Sequence, residues 1–192
     1  MAAVTTSFES YKNHFLVAMP SLLDPHFFHS VTYILEHTPD GAMGIVVNHP
    51  LRIHLRDVLE HMEIDASLTI EGENPVFAGG PIQPERGFVL HRPFGTWQAS
   101  VSVADDITIT TSRDVLEAMA ENRGPDNAMV ALGYAGWGPN QLEAEIAENA
   151  WLVTPASSMI LFDTPFENRW AGSARLLLGV DLSSISNTMG HA

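Results

Sequence analysis

The sequence predicts an α+β, or mixed α/β, domain, and three observations carry that prediction. Short apolar runs of strand length recur along the chain, from "HFLVAM" to "WLVTP". Several pair as hairpins around turn residues instead of alternating with helices in a regular βαβ series. Between them lie segments whose apolar residues recur with helical spacing. At 192 residues, 45% apolar and 17% charged, the chain is long enough for one large domain with a real core.

The first element is a buried strand over 14–19, stopped by Pro20. "PSLLDPHFFHS" reads as a loop or a single helical turn begun by Asp24-Pro25. A hairpin follows in "VTYILEHTPDGAMGIVVNHP", where Pro39 presets φ and Gly41 accepts positive φ. Leu55, Val58, Leu59 and Met62 form the apolar face of an amphipathic helix. "NPVFAGGPIQPERGFVLHRP" holds two short strands around Gly79-Gly80-Pro81. "WQASVSVADDITITTS" predicts a second hairpin turning at Asp105-Asp106, and "RDVLEAMAENRG" a helix stopped by Gly124-Pro125.

"NAMVALGYAG" is then a strand, "NQLEAEIAEN" a helix, and "WLVTP" and "MILFD" two further strands. The last helix has the clearest start: Thr164 as N-cap, Pro165 in the first helical position, Glu167 as the capping partner. Gly179 fits its C-terminal cap. One domain over 1–192 is expected, with 1–12 and 181–192 loosely held.

The formal charge of −14, from 23 acidic and 9 basic residues, opposes non-specific binding to DNA or anionic membrane. A local basic patch at Arg52 and Arg56 remains as a DNA-contact candidate, with a solvated helix start as its plainer reading. No apolar run reaches the roughly 18 residues of a membrane span, and the N-terminus lacks the form of a secretory leader. Cysteine is absent, which removes disulfides, thiol nucleophiles and thiolate metal sites. A cytoplasmic location is the resulting expectation.

The stretch "LGYAGWGPNQLEAEIAEN" is the most distinctive. A strand gives way to a helix through Gly133, Gly136 and Gly138, with Asn140 or Gly138 as the N-cap. Exposed N–H groups at such a turn suit an anion. The spacing is nevertheless G-x-x-G-x-G, no P-loop lysine follows, and Glu143 and Glu145 themselves complement the helix dipole. A phosphate cradle is therefore disfavoured and no cofactor is predicted. Trp137, Gln141 and Glu143 instead suggest the aromatic wall of a ligand cleft.

Asp24, His26 and His29 lie close enough to raise a metal site, but no third strong ligand or H-E-x-x-H pattern accompanies them, so none is predicted. A G-x-S-x-G nucleophile elbow is absent.

The long blocks "FLVAMPSLLDPHFFHSVTYILEHTPDGAMGIVVNHPL", "VFAGGPIQPERGFVLH", "LGYAGWGPNQLEAEIAENAWLV" and "LFDTPFENRWAGSARLLLG", with a closing "GHA", resemble the AlgH/YqgE family in content and order, over roughly residues 10–192. His29 departs from the arginine of the family pattern. The resemblance implies a bifurcated mixed β-sheet curled into a pseudo-barrel with several flanking helices. It implies no defined reaction; some members are described as transcriptional regulators. The matching blocks supply the candidate residues: Asp24, Ser30, His37 and Asn48; Gly79, Gly80, Pro81, Gly87 and His91; Gly133, Gly136, Trp137, Gln141 and Glu143.

Three functions are in view. The first is a regulatory or binding module acting on a small ligand or a protein partner through a cleft at the Trp137 turn. The second is a hydrolase or transferase in which His37 or His91 works with Asp24 or a glutamate. The third is a transcriptional regulator, acting indirectly or through Arg52 and Arg56.

Overall fold

A computed structural model describes residues 8–178. In chain order these form β1 His14–Ala18, β2 Val31–Thr38, β3 Gly41–Val46, β4 Pro50–His54, α1 Leu55–His61, β5 Pro75–Ala78, β6 Ile82–His91, β7 Ser100–Ala104 and β8 Ile107–Thr110. There follow α2 Arg113–Ala120, β9 Met129–Trp137, α3 Gln141–Ala147, β10 Trp151–Pro155, α4 Ser158–Phe162 and α5 Phe166–Leu178. The strands run β10-β1-β2-β3-β9-β6-β8-β7 across one curled sheet, with β4 and β5 branching off the path.

The branch lies on one edge of β9. Val130–Leu132 pair parallel with β5, whereas Ala135–Trp137 pair antiparallel with β3; the opposite edge pairs with β6 over Met129–Leu132 and, after a register shift, at Tyr134. The joint is closed by Gly79, whose N–H donates to the Leu132 carbonyl and whose carbonyl accepts from Val46 N–H. A Cβ on Gly80 would stand 2.1 Å from the Tyr134 carbonyl carbon, and one on Gly133 would stand 2.5 Å from the Gly80 oxygen. Gly133 also has φ of +76°, so the crossing requires glycine for both space and conformation.

Gly133 resets side-chain parity as well. Met129, Ala131 and, beyond the glycine, Tyr134 contact the inner core, whereas Val130, Ala135 and Trp137 belong to outer clusters. Strict alternation would have turned Trp137 inward; the extra residue acts as a bulge and keeps it on the outer face.

Three cores result. The inner one, within the curl, joins Phe15, Tyr33 and Ile45 of one sheet half to Phe88, Leu90 and Ile109 of the other, capped by α4 and α5. α1 and α2 cover part of the outer face of the second half, and α3 covers the outer face of the first. Arg169 of α5 is 8% exposed; its Nε donates to the Thr164 carbonyl, its Nη1 to the Val47 carbonyl, and its guanidinium lies 5.3 Å from the Phe77 ring centroid. Burial pushes its pKa down to about 10, which leaves it cationic at neutral pH.

Three local expectations are corrected. "MILFD" is not a strand: Ser158–Phe162 is the short helix α4, because a four-residue apolar run fits a buried helical turn as well as a strand. Residues 50–54 form β4 against β5 instead of starting a helix. The Thr164 hydroxyl donates to the Met159 carbonyl and so ties α4 to the start of α5, in place of a reciprocal cap with Glu167. The expected cap Gly179 and the tail 181–192 lie outside the described residues, as do residues 1–7.

Candidate functional site

The Trp137 turn is closed by its own side chains. Gln141 Oε1 accepts from Gly138 N–H at 2.9 Å, while Asn140 adopts the left-handed conformation and its side chain caps nothing. Trp137 is 6% exposed and packs with Leu16, Ala135, Leu142 and Trp151. Its indole N–H donates to Glu145 Oε2 at 2.9 Å, and that same oxygen accepts the Trp151 indole N–H at 2.8 Å. Gln141 Nε2 donates to the other oxygen of Glu145 at 3.0 Å. The tryptophan expected as a cleft wall is thus a core residue, and Glu145, read from sequence only as a complement to the helix dipole, is the hub of the turn.

Glu143, two residues earlier, points to another face of α3 and reaches His37. The backbone N–H of Tyr11 donates to His37 Nδ1 at 2.9 Å, so that nitrogen is an acceptor and the ring proton sits on Nε2. Nε2–H then donates to Glu143 Oε1 at 3.0 Å. Ser10 Oγ donates to the His37 carbonyl, and the Tyr11 ring stacks on the imidazole at 5.3 Å. Residues 8–12, part of the segment expected to be loose, dock here.

Both nitrogens of His37 are committed, which leaves no lone pair for a general base. His91 is equally closed. Its Nδ1–H donates to the Arg92 carbonyl at 2.6 Å, and Nε2 accepts from the Thr110 hydroxyl at 2.8 Å. Burial lowers the His91 pKa, and the bond to the Arg92 carbonyl opposes that shift in part.

The other candidates serve the chain path. Asp24 Oδ1 accepts from His26 N–H, and Asn48 clamps the loop before β2 by accepting from Val31 N–H and donating to the His29 carbonyl. Ser30 is buried, and among the described residues its hydroxyl has no hydrogen-bond partner. Gly79 and Gly80 form the sheet joint, and Gly136 lies in β9 opposite Met43. The structure brings His37, Gln141 and Glu143 to α3 and its surroundings, and Asp24, Ser30 and Asn48 to one loop; His91 stands apart. The acid–base pairing of Asp24 with either histidine is not assembled. Among the described residues no group of three or more His, Asp or Glu side chains is arranged to hold a metal ion. Of the basic pair, Arg56 is spent on the Ala66 carbonyl and on Glu73.

Concave space lies elsewhere. Between α1 and α2 on one side and β6 and β9 on the other lies a cavity of about 500 Å³. Val89 and Val130 form its buried floor; Ile53, Val58, Met62 and Leu132 line it half-buried. Its mouth carries Asp57 and His61 of α1, Glu85 of β6 and Arg113 of α2. The volume and apolar lining suit a small organic molecule. Sequence reasoning found the apolar face of α1 but not the cavity: Leu55 and Leu59 are covered, whereas Val58 and Met62 on the same face are not. Of the candidate site residues drawn from the matching blocks, only Gly87 lines this space.

Among the described residues no helix is long and apolar enough to cross a membrane. Residues 15–183 match the AlgH-like family. A UPF0301 protein of Nitrosococcus oceani is 56% identical over 182 residues, spanning 95% of this chain and 97% of its own. A UPF0301 protein of Thioalkalivibrio sulfidiphilus is 57% identical over 187 residues, covering 97% and 100%. The solution structure of the AlgH protein from Pseudomonas aeruginosa superposes with a TM-score of 0.77 at 42% identity over the whole of both chains. A Corynebacterium diphtheriae protein shares the fold at a TM-score of 0.68 and 21% identity, over 88% of each chain. By its sequence and its fold, this chain belongs to the AlgH-like family.

Proposed function

We propose that the protein is a binding module that takes a small, largely apolar molecule into the cavity between α1, α2 and β6, and that any regulatory role runs through that binding. One observation carries the reading: a concavity of about 500 Å³ whose wall keeps Val58, Met62 and Leu132 half-open to solvent. Leaving such side chains uncovered forgoes burial free energy of roughly 25 cal/mol for each Å², and a ligand recovers it. Catalysis by the two buried histidines has no support in their bonding, since every ring nitrogen is occupied. Direct DNA contact is opposed by the −14 charge.

N-Phenyl-1-naphthylamine, an uncharged dye that brightens in apolar surroundings, tests this. It is expected to saturate at one site on the full chain and to lose that site in Val58→Trp and Met62→Trp, each of which fills the cavity. Absence of saturable binding, or unchanged binding in filled variants that fold, defeats the proposal. Saturation at 100 times Kd adds roughly 2.7 kcal/mol of stability, which gives a second readout by thermal shift.

A further inference from the structure

We infer that the occupant of this cavity is an amine: an apolar body bearing a cationic head held at the mouth between Asp57 and Glu85. The inference rests on the binding reading above and adds the charge of the ligand. Three elements bring ionised groups to the mouth, and their prior commitments decide the sign. Arg113, the guanidinium there, is paired within its own helix through one nitrogen, Nε, 2.8 Å from Glu117 Oε1, and His61 is the other basic side chain at the mouth. The Glu85 side chain takes part in no salt bridge or hydrogen bond among the described residues. Asp57 uses one oxygen, Oδ2, which accepts His54 N–H at 2.7 Å and lies 3.8 Å from His54 Nδ1, and this leaves Oδ1 for a ligand.

The start of α2, which also lines the mouth, offers an anion little. Asp114 already occupies it, accepting the N–H groups of Gln98 and Val115. A carboxylate ligand would meet two carboxylates, an arginine whose charge Glu117 already pairs, and a chain of formal charge −14. An ammonium ligand meets complementary charge from the mouth and from the field of the whole molecule. The apolar walls exclude a bare polycation and require an aromatic or aliphatic body within about 500 Å³.

Three molecules with one apolar body separate the terms: 4-phenylbutylamine, 4-phenylbutanol and 4-phenylbutyrate, each titrated against the full chain in competition with N-phenyl-1-naphthylamine. The amine is expected to bind tightest and the acid weakest. Asp57→Asn keeps an oxygen for the His54 N–H, and Glu85→Gln is isosteric, so both variants are expected to fold. Each is expected to weaken the amine by about two- to fivefold, the range for exposed ion pairs, and to leave the alcohol unchanged. Added salt should erode the advantage of the amine over the alcohol. An acid that binds as tightly as the amine, or an amine unaffected by either substitution, overturns this inference while leaving the apolar site standing. Failure of the dye and of all three compounds to bind overturns both.

Discussion

Glu145→Ala is expected to be among the most damaging substitutions outside the apolar core. The carboxylate oxygen Oε2 holds two indole N–H groups, of Trp137 at 2.9 Å and Trp151 at 2.8 Å. The two tryptophans are 6% and 4% exposed, so neither donor has ready access to water once the acceptor is gone. A hydrogen bond to a charged group contributes roughly 1.5–3 kcal/mol, and an orphaned buried donor costs about 1–3 kcal/mol. Glu145 is itself only half-buried, and water entering the vacated space offsets part of that cost. The expected loss is about 2–4 kcal/mol, which lowers Tm by roughly 5–15 °C for a chain of this size. Glu145→Gln keeps an acceptor oxygen and should lose only about 1 kcal/mol. Urea unfolding followed by tryptophan fluorescence measures both, with an unchanged m-value as the control for the same cooperative transition. An alanine variant within about 0.5 kcal/mol of the parent, inside the range of an ordinary surface change, refutes the hub. So does a glutamine variant as unstable as the alanine.

Other outcomes follow from the same geometry. Gly80→Ala places a Cβ 2.1 Å from β9 backbone and should cost more than about 3 kcal/mol; Gly136→Ala meets only the flexible Ile82 Cδ1 at 2.9 Å and should cost about 1 kcal/mol, as paired urea titrations would show. His37→Ala removes the acceptor for Tyr11 N–H, and the Tyr11 amide should exchange with solvent about tenfold faster, the equivalent of one hydrogen bond; unaltered exchange would contradict the docking of residues 8–12. His91 makes stability depend on pH. Its folded-state pKa is lowered, so the unfolded chain takes up the proton first; stability is complete above the ordinary imidazole value of 6.5 and is lost as pH falls through it. His91→Asn should flatten that slope between neutral and mildly acidic pH, and an unchanged slope would assign the dependence to other groups.

Local signals in the sequence located most elements. Pro39-Asp40-Gly41 and Asp105-Asp106 mark the hairpins that β2–β3 and β7–β8 form, and the spacing of apolar residues marks α1 and α2. The family resemblance supplied the curled, bifurcated sheet, which no periodicity reveals, because the branch depends on β9 changing partners along one edge at Gly133. "MILFD" shows the limit of pattern alone: four apolar residues in a row do not distinguish a strand from a buried turn of helix.

The site was less legible for a physical reason. Trp137, Gln141 and Glu143 stand out because a tight turn demands unusual residues, and turn chemistry resembles ligand chemistry in composition. Their contacts show that the demand is internal: Gln141 closes the turn and Glu143 orients His37. The cavity has the opposite character. Its valines, leucine and methionine are ordinary core types, and only the arrangement of α1 and α2 over the sheet leaves Val58, Met62 and Leu132 half-open.

Methyl NMR of the full chain titrated with N-phenyl-1-naphthylamine tests the central claim most directly. The cavity account predicts saturable shifts confined to Val58, Met62, Val89, Val130 and Leu132, with the signals of Leu142 and Leu16 around Trp137 unmoved. Shifts centred on Leu142 and Leu16, or none at saturating dye, would contradict it.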